Sequence, residues 1–454
     1  MSMYAALKRL FSPSYAQSLR KNLPILDENF YWGPGSSPKV TDESIRPFKV
    51  DIKEEVLNDL QLRLKNTRRF TPPLENIAQE YGFNTNLLKN IIDFWKDEYN
   101  WREREIYLNQ FPQFKTNIQG LDIHYLHVKP TSLPSHIEIY PLLILHGWPG
   151  SVREFYNLIP LLTKPMDGKN FAFEVIAPSI PGYAFSDASA KPGFAVPHAA
   201  VAFMNLMKRL GFDRYYLQGG DWGSQITTSL VSQYPKNVLG LHINMCISLM
   251  SVTLWKIILG SFWPSIVGIS KEDQSKMMYP LSRIFKSLLA ETGYYHIQAT
   301  KPDTIGTALN DSPAGLAAYI LEKFSTGTNP NYRALEDGGL LEKFTYTDLL
   351  DNVMLYWVTN SATTAARFYA EQYSKENRRV NIDSFQLPKE VPIAFLKAPY
   401  EIMYQPDSLL RDRYPNIVQS TELTHGGHFL ALEEPQTLAA DLFSAVEKMR
   451  ISRK

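Results

Sequence analysis

One stretch constrains the fold of this 454-residue chain more than any other: residues 217–224, with the sequence LQGGDWGS. It joins an apolar run that is typical of a buried strand to a run, from Gln225, that is typical of a helix start. Its Gly-x-Asp-x-Gly motif has the spacing of a nucleophile elbow, with a carboxylate where a serine more often stands.

A turn as sharp as an elbow leaves no room for Cβ atoms two residues before and after its tip, so glycine is expected at Gly219 and Gly223. The tip residue, Asp221, is expected to adopt a strained conformation and to project from the C-terminal edge of a sheet. An ordinary glycine-rich turn with a solvated aspartate would have the same sequence. Residues elsewhere in the chain are needed to distinguish the two interpretations.

Strand-like and helix-like segments alternate through two parts of the chain, which predicts an α/β fold. The predicted strands are residues 121–128, 141–145, 171–177, 215–217, 238–245, 391–396 and 416–418. The predicted helices are residues 52–64, 86–98, 201–210 and 438–449. From about Cys246 to about Gln386 helical patterning dominates. We therefore predict a parallel sheet with helices on both faces, interrupted by a mostly helical insertion and preceded by a helical, proline-rich portion.

Charge and cysteine content exclude several classes of function. The formal net charge of +1 gives no reason to expect nucleic acid as a partner. The single cysteine, Cys246, excludes a disulfide framework and a Cys-based metal cluster. No stretch reaches the roughly 18 uninterrupted apolar residues of a transmembrane helix. Residues 1–26 carry four basic residues and no acid, a pattern that fits an interfacial membrane helix, a transit-like segment or a basic tail docked on the protein.

A carboxylate nucleophile needs a base to activate water and an acid to orient that base, and both have candidates downstream of Asp221. His428 follows the last predicted strand in a glycine-hinged loop and is preferred as the base over His425, which precedes the two glycines. Glu401 lies just beyond the penultimate strand and is preferred as the acid over Asp407, which is farther along that loop. The order nucleophile, acid, histidine is that of the α/β-hydrolases.

Donors for the developing oxyanion are predicted from the motif HGWPG at residues 146–150, directly after a predicted strand. Glycine there lets backbone N–H groups turn inward, and the residue after the nucleophile supplies a second donor. The amides of Trp148 and Trp222 are the predicted pair, and His146 is expected to brace the turn. No His, Asp and Glu cluster has metal-ligand spacing and no phosphate-binding loop is present, so we expect no metal and no cofactor.

Together these motifs resemble those of the epoxide hydrolases of the α/β-hydrolase fold. The resemblance is carried by HGWPG at 146–150, PSIPGYAFS at 178–186, GGDWGS at 219–224 and GGHF at 426–429. The microsomal branch, which includes the insect juvenile hormone epoxide hydrolases, is the most similar. Its further motifs here are WGPG at 32–35, SIRPF at 44–48, FTPP at 70–73, TKPDT at 300–304 and ALNDSP at 308–313.

This resemblance implies two lid tyrosines that bind the epoxide oxygen, at positions that match Tyr294 and Tyr369, with Tyr295 adjacent to the first. It also places the family's acid at Glu401. The implied enzyme converts a small lipophilic epoxide and water to a vicinal diol through an ester on Asp221, without a cofactor. Juvenile hormone and xenobiotic or lipid epoxides are both consistent with it, and an aromatic, apolar insertion favours lipophilic substrates.

Two other functions remain open from the sequence: a haloalkane dehalogenase, which shares an aspartate nucleophile and a histidine base, and a hydrolase fold kept as a non-catalytic binding protein. The resemblance implies an endoplasmic reticulum or microsomal membrane location. A cytoplasmic location is the alternative, because the hydrophobic anchor helix usual in that branch is not present in this sequence. Peripheral membrane contact through the basic N-terminal segment stays open, and the oligomeric state is not predicted.

The motifs divide the chain into five expected segments. They are a basic N-terminal segment (1–30), an N-terminal wrapping domain of epoxide hydrolase type (31–115), the first part of an α/β-hydrolase core (116–246), a helical lid (247–386) and the second part of the core (387–454).

Overall fold

A nine-stranded mixed sheet lies at the centre of the computed structural model, which describes residues 25–38, 41–277, 281–380 and 382–452. The strands are β1 (Arg46–Phe48), β2 (Gln113–Ile118), β3 (Leu121–Val128), β4 (Glu138–Leu145), β5 (Phe171–Pro178), β6 (Tyr215–Gly219), β7 (Val238–Ile243), β8 (Ile393–Lys397) and β9 (Ile417–Glu422). Across the sheet their order is β1-β2-β3-β5-β4-β6-β7-β8-β9. Residues 1–24 of the predicted basic segment lie outside the described residues.

The sheet is parallel from β5 to β9 but antiparallel from β1 to β5. The prediction of a parallel sheet is therefore wrong for this edge, where β2 was also not predicted. β2 and β3 are joined by Gln119 and Gly120, with φ of 54° and 85°. A two-residue turn with positive φ at both positions matches the twist of a hairpin and joins antiparallel strands.

Helices precede and connect these strands. Before β2 lie α1 (Glu54–Lys65), α2 (Thr85–Asp97) and α3 (Trp101–Leu108), and among β4 to β7 lie α4 (Ile159–Leu162), α5 (Val196–Arg209) and α6 (Asp221–Gln233). The predicted helices at 52–64 and 86–98 are confirmed to within two residues, whereas α3 was not predicted. Leu87, Ile91 and Trp95 form the buried face of α2, as expected from their helical spacing.

The chain between β7 and β8 is helical, as predicted, and we call this insertion the lid. Its helices are α7 (Ser251–Gly260), α8 (Lys271–Lys276), α9 (Leu281–Glu291), α10 (Gly293–Thr300), α11 (Pro302–Asp311), α12 (Pro313–Thr328), α13 (Tyr346–Val358), α14 (Ala362–Gln372) and α15 (Lys375–Val380). The core then continues with α16 (Asp407–Leu410), α17 (Leu430–Glu433) and α18 (Pro435–Ile451), the last as predicted.

The central strands are buried on both faces of the sheet. Leu142, Leu143, Ile144 and Leu145 of β4 have no exposed surface, and β6 is buried along its whole length. Continuous apolar runs of this kind are typical of parallel strands that helices cover on both sides. In the part of the chain that is described, no helix is long and apolar enough to cross a bilayer.

The carboxyl ends of β4, β6, β8 and β9 lie along the same edge of the sheet, because these strands run parallel to one another. The loops that follow them carry the residues predicted from the sequence to perform chemistry. The lid follows the carboxyl end of β7, which is parallel to β6 and β8, and so connects at the same edge.

Candidate active site

Asp221 stands at the tip of a strand-to-helix turn. β6 ends at Gly219, and α6 begins at Asp221, four residues before the predicted start at Gln225. Asp221 has a φ of 47°, in the left-handed region that non-glycine residues rarely adopt. A Cβ atom at Gly219 would lie 2.5 Å from the carbonyl carbon of Gly223, and a Cβ atom at Gly223 would lie 2.0 Å from the carbonyl oxygen of Leu145. The turn therefore requires glycine at both positions, as expected from the motif.

His428 lies between two carboxylates in the loop after β9. Its Nε2 atom is 3.4 Å from Oδ2 of Asp221, and its Nδ1 atom is 2.6 Å from Oε1 of Glu401. Glu401, in the loop after β8, also accepts a hydrogen bond from the backbone N–H of Ile402 at 2.8 Å. The fold thus brings together three side chains that are 180 and 27 residues apart in the chain, in the geometry of a nucleophile, a base and an orienting acid.

The charge state of His428 is set by competing effects. Burial by itself lowers the pKa of the imidazole, but the carboxylates of Glu401 and Asp221 outweigh burial and hold the pKa well above its ordinary value. The imidazolium form is therefore stabilised while both carboxylates are ionised. Any reaction that neutralises one of them favours loss of the proton from His428.

The alternative residues for these roles lie elsewhere. His425 is half-exposed and pairs with Glu434 at 3.5 Å. Asp407 accepts hydrogen bonds from Lys397 at 2.9 Å and from Ser420 at 2.8 Å, at the start of α16. Both alternatives are occupied by other partners, and neither contacts His428.

The loop after β4 supplies a backbone donor to the nucleophile. The N–H of Trp148 donates to Oδ1 of Asp221 at 2.8 Å. This close approach needs Gly147, because a Cβ atom there would lie 2.1 Å from the same Oδ1 atom. Trp222 lies in the first turn of α6, where backbone N–H groups have no acceptor within the helix. Of the two predicted donors, the amide of Trp148 already contacts the carboxylate of Asp221. The amide of Trp222 belongs to the next residue in the chain.

His146 braces this loop. Its ring contacts the carbonyl oxygen of Gly147 at 3.1 Å through Nδ1 and accepts from the N–H of Ile180 at 3.2 Å through Nε2. Burial lowers the pKa of His146 to about 4, so the ring is neutral at physiological pH. Both ring nitrogens are used by the backbone, which fits the bracing role expected from the sequence.

Two lid tyrosines form an aromatic wall over Asp221. The ring of Tyr294, in α10, stacks on Trp148 with centroids 4.8 Å apart, and Tyr369, in α14, meets Trp222 edge-on at 4.7 Å. Burial, and next the charge of Asp221, raise the pKa of both phenols above the ordinary value. Their hydroxyls therefore keep their protons and are able to donate hydrogen bonds at physiological pH.

Tyr295, the neighbour of Tyr294, faces a different direction. Its hydroxyl contacts that of Tyr373, a half-exposed residue at the end of α14. The structure thus places Tyr294, rather than Tyr295, beside the loop that holds the nucleophile. The stacking of Trp148 and the edge contact of Trp222 also give these indoles a structural role that the sequence did not indicate.

A cavity beside Asp221 contains one carboxyl that was not predicted from the sequence. Glu154 lines the same cavity as Asp221 and His428, and a Cβ atom at Gly150 would lie 1.7 Å from its Oε1 atom. Burial raises the pKa of Glu154 to about 8, although the nearby His428 acts in the opposite direction. The spacing Gly-x-x-x-Glu after β4, from Gly150 to Glu154, is the signal that could have drawn attention to it.

A second carboxyl that was not predicted, that of Glu433, supports the loop that carries His428. Glu433 accepts hydrogen bonds from the N–H groups of Gly427 and Phe429, each at 2.8 Å. The N–H of His428 itself donates to the carbonyl oxygen of Gly327 in α12 at 2.8 Å. The loop is therefore fixed from both the core and the lid. Within the described ranges, no three His, Cys, Asp or Glu side chains are grouped so that they could hold a metal ion.

Comparison with known proteins finds similar sequences and two matching family models. Residues 45–155 match the family model described as "Epoxide hydrolase N terminus", and residues 140–375 match "alpha/beta hydrolase fold". The chain is 54% identical to juvenile hormone epoxide hydrolase 2 of Ctenocephalides felis, over 94% of this chain and 90% of that protein. It is 48% identical to epoxide hydrolase 1 of Sus scrofa, over 91% of each.

Among solved structures, the juvenile hormone epoxide hydrolase of the silkworm Bombyx mori is similar over nearly the whole chain. The superposition has a TM-score of 0.91 at 47% identity and covers 94% of this chain and 100% of the silkworm protein.

Proposed function

Because this chain belongs to the epoxide hydrolases of the α/β-hydrolase fold and is a hydrolase of epoxides, we propose that it acts through a covalent ester on Asp221. The single observation that carries this mechanism is the contact of one imidazole with both Asp221 and Glu401. A carboxylate must be the nucleophile for this chemistry, since an epoxide carbon has no carbonyl and the enzyme has to contribute the one that water later attacks.

In the first step, Oδ2 of Asp221 attacks a carbon of the epoxide ring. Oδ1 is engaged by the N–H of Trp148, which leaves Oδ2 as the attacking atom. The hydroxyls of Tyr294 and Tyr369 donate to the epoxide oxygen as its bond to carbon breaks, because a bare alkoxide is a poor leaving group. One of these tyrosines passes its proton to the alkoxide, and the imidazolium of His428 replaces that proton. The product of the step is a hydroxyalkyl ester of Asp221 beside a neutral imidazole.

In the second step, His428 deprotonates a water molecule that attacks the ester carbonyl. The oxyanion that develops on Oδ1 is held by the amides of Trp148 and Trp222. Collapse of this intermediate breaks the bond between the carbonyl carbon and Oδ2, which leaves as an oxygen of the diol and takes a proton from the imidazolium. The carboxylic acid that remains then gives its proton to His428. The diol leaves, and Asp221 is again a carboxylate.

The charges in the site explain why ester formation comes before hydrolysis. While Asp221 is ionised, it helps to hold the pKa of His428 above its ordinary value. Esterification removes that negative charge, so the pKa of His428 falls and the neutral imidazole becomes available as a base. Formation of the ester thus activates the group that hydrolyses it.

We propose a lipophilic epoxide as substrate, with juvenile hormone or a xenobiotic or lipid epoxide as the two candidate classes. The cavity is lined by Trp148, Phe155 and Phe429 beside the reacting groups, and such walls favour apolar substrates. Relatives named juvenile hormone epoxide hydrolases support the first class, and epoxide hydrolase 1 supports the second.

A turnover panel separates these possibilities. A terpenoid epoxy ester is compared with styrene-type oxides by diol release, and a chloroalkane is included for halide release. Higher kcat/KM for the terpenoid ester assigns juvenile hormone-like substrates, whereas a preference for styrene-type oxides assigns the xenobiotic class. Halide release without diol from any epoxide would replace the proposal with a dehalogenase.

We also retain two organisational proposals. The first is the division into segments 1–30, 31–115, 116–246, 247–386 and 387–454, which is supported by the run of helices α7 to α15 between β7 and β8. The second is an endoplasmic reticulum or microsomal location, supported by the lipophilic substrate class. Fractionation of cells that express the full chain tests the second, and recovery in the cytosolic fraction alone would favour the cytoplasmic alternative.

A further inference from the structure

Part of the lid presents apolar side chains to solvent. We call this surface the lid face; it lies on α7, on α9 and on residues 262–266, and it consists of Leu254, Trp255, Ile258, Phe262, Trp263, Ile266, Phe285, Leu288 and Leu289. Ile266 is 79% exposed, Phe262 70% and Leu289 69%. The two helices are neighbours, because the N–H of Leu281 at the start of α9 donates to the hydroxyl of Ser261 directly after α7.

The lid face is unusual for a protein surface in water. α9 has apolar residues at helical spacing, yet none of its residues is buried against the described part of the chain. An apolar stripe on a helix normally faces a core. Large contiguous apolar patches on a surface mark a site of contact with a partner or a membrane. Something other than the described residues is therefore expected to cover it.

Basic residues are interspersed in the sequence with those of the lid face. Residues 251–291 contain five basic and three acidic residues. Lys256 and Lys276 are paired with Asp412 and Glu422. Three further cations, Lys271, Arg283 and Lys286, are exposed, and they have no carboxylate partner among the residues that the structure describes. The surface thus combines apolar side chains with free positive charge.

We propose that the lid face docks on a lipid bilayer with anionic headgroups. Its apolar side chains would enter the boundary between headgroups and acyl chains, Trp255 and Trp263 would lie at that boundary, and Lys271, Arg283 and Lys286 would meet the headgroup phosphates. A second copy of this chain fits less well, because a two-fold contact would bring the same unpaired cations together.

Docking of this kind would bring the protein close to its substrate. This consequence rests on the proposed function. α9 ends at Glu291 and α10 carries Tyr294, so the lid face is continuous with the helix that supplies a tyrosine to the site. A lipophilic epoxide partitions into the bilayer rather than into water. The lid face would therefore bring the lid helix that carries Tyr294 to the surface where the substrate is concentrated.

Vesicle flotation of the full chain tests the docking, with no substrate present. The test variant is Ile266→Glu/Leu289→Glu, and the matched control is Ile106→Glu/Leu341→Glu, since Ile106 and Leu341 are 76% and 57% exposed outside the lid face. We expect the parent and the control to float with phosphatidylcholine–phosphatidylserine vesicles and less with phosphatidylcholine alone. The test variant should bind at least about tenfold more weakly, because two buried apolar contacts are replaced by charges.

The outcomes against the proposal are distinct from a failure of the proposed function. Equal flotation of the test variant and the parent would place membrane contact elsewhere, such as in the basic N-terminal segment, and would overturn the proposal. A dimer that the test variant converts to a monomer in gel filtration would assign the face to a second copy instead. Diol release from a water-soluble epoxide is measured in parallel: it should be unchanged in both variants, and its absence in the parent would contradict the enzyme mechanism but not the docking.

Discussion

At the scale of single residues, two adjacent tyrosines show how the site is defined. Neighbouring residues on a helix point about 100° apart, so only one of Tyr294 and Tyr295 can face the nucleophile. Tyr294 stacks on Trp148, whereas Tyr295 contacts Tyr373. The spacing of the sequence could not separate them, since the face of α10 that meets the core is decided by contacts with distant elements.

Replacing Tyr294 with Phe tests this assignment. We expect Tyr294→Phe to lower the rate of ester formation by about 10²-fold, because a general acid at the leaving oxygen contributes at least that much. Tyr295→Phe is the matched control and should stay within about twofold of the parent. Stopped-flow fluorescence under single-turnover conditions measures the step, and equal losses in the two variants would contradict the assignment.

Glu154 is expected to make stability depend on pH. Its carboxyl is ionised above a pKa of 4.5 in the unfolded chain but keeps its proton to about 8 in the folded one. Unfolding therefore releases a proton between these values and becomes more favourable as pH rises. We expect Glu154→Gln to show a smaller decrease in Tm than the parent between pH 5 and pH 8. Parallel Tm curves in calorimetry would show that Glu154 does not titrate as described.

At the scale of elements, the turn between β6 and α6 holds Asp221 in place only because Gly219 and Gly223 have no side chains. We expect Gly223→Ala to lower the free energy of unfolding by at least about 2 kcal/mol, because its Cβ atom would lie 2.0 Å from the carbonyl oxygen of Leu145. Diol release should fall as Asp221 moves. Gly293→Ala is the control, with no atom within 4 Å of its new Cβ, and urea unfolding should leave it near the parent. Equal stability of the two variants would refute the steric argument.

Local patterns predicted most elements and failed where pairing is set by distant contacts. The apolar runs of β4 to β8 identify them because buried parallel strands are apolar on both faces. β2 has the sequence QFKTNI, with four polar residues among six, so its pattern does not distinguish a strand from a loop. Its place in the sheet comes from the turn at Gln119 and Gly120 and from its pairing with β3.

At the scale of the whole molecule, helix α13 of the lid connects three parts of the chain. Asp351 is fully buried and accepts hydrogen bonds from Arg153, just beyond the loop after β4, from Arg104 of α3, and from Tyr99. The next residue, Asn352, donates to the carbonyl oxygen of Pro149 at 2.7 Å. The lid therefore holds the loop after β4 in place, in addition to carrying Tyr294 and Tyr369.

Neutralising Asp351 should loosen this junction. We expect Asp351→Asn to lower the free energy of unfolding by about 3 kcal/mol, because it removes the buried anion of Arg104 and leaves Arg153 with the carboxylate of Asp348 alone. The control is Asp303→Asn, which removes an exposed pair with Arg367 and should cost less than about 1 kcal/mol. Urea unfolding at neutral pH measures both, and similar small losses would show that the junction is not structural.

The distance in the chain between a residue and its partners explains which site residues could be predicted from the sequence. Asp221, Glu401 and His428 were predictable because each follows a strand with a recognisable motif. Glu154 and Asp351 were not, since the partners that give them a role lie on other elements, between 67 and 274 residues away in the chain. The mechanism itself remains a proposal that rests on the geometry of the first three residues.

Trapping the ester tests that mechanism most directly. In His428→Gln, ester formation should proceed while hydrolysis stalls, because no base is left to activate water. After incubation with an epoxide, mass spectrometry should find one substrate mass added to the peptide that contains Asp221, and none in the double variant with Asp221→Ala. A His428→Gln enzyme that releases diol at the parent's rate, or that carries no adduct on Asp221, would contradict the account.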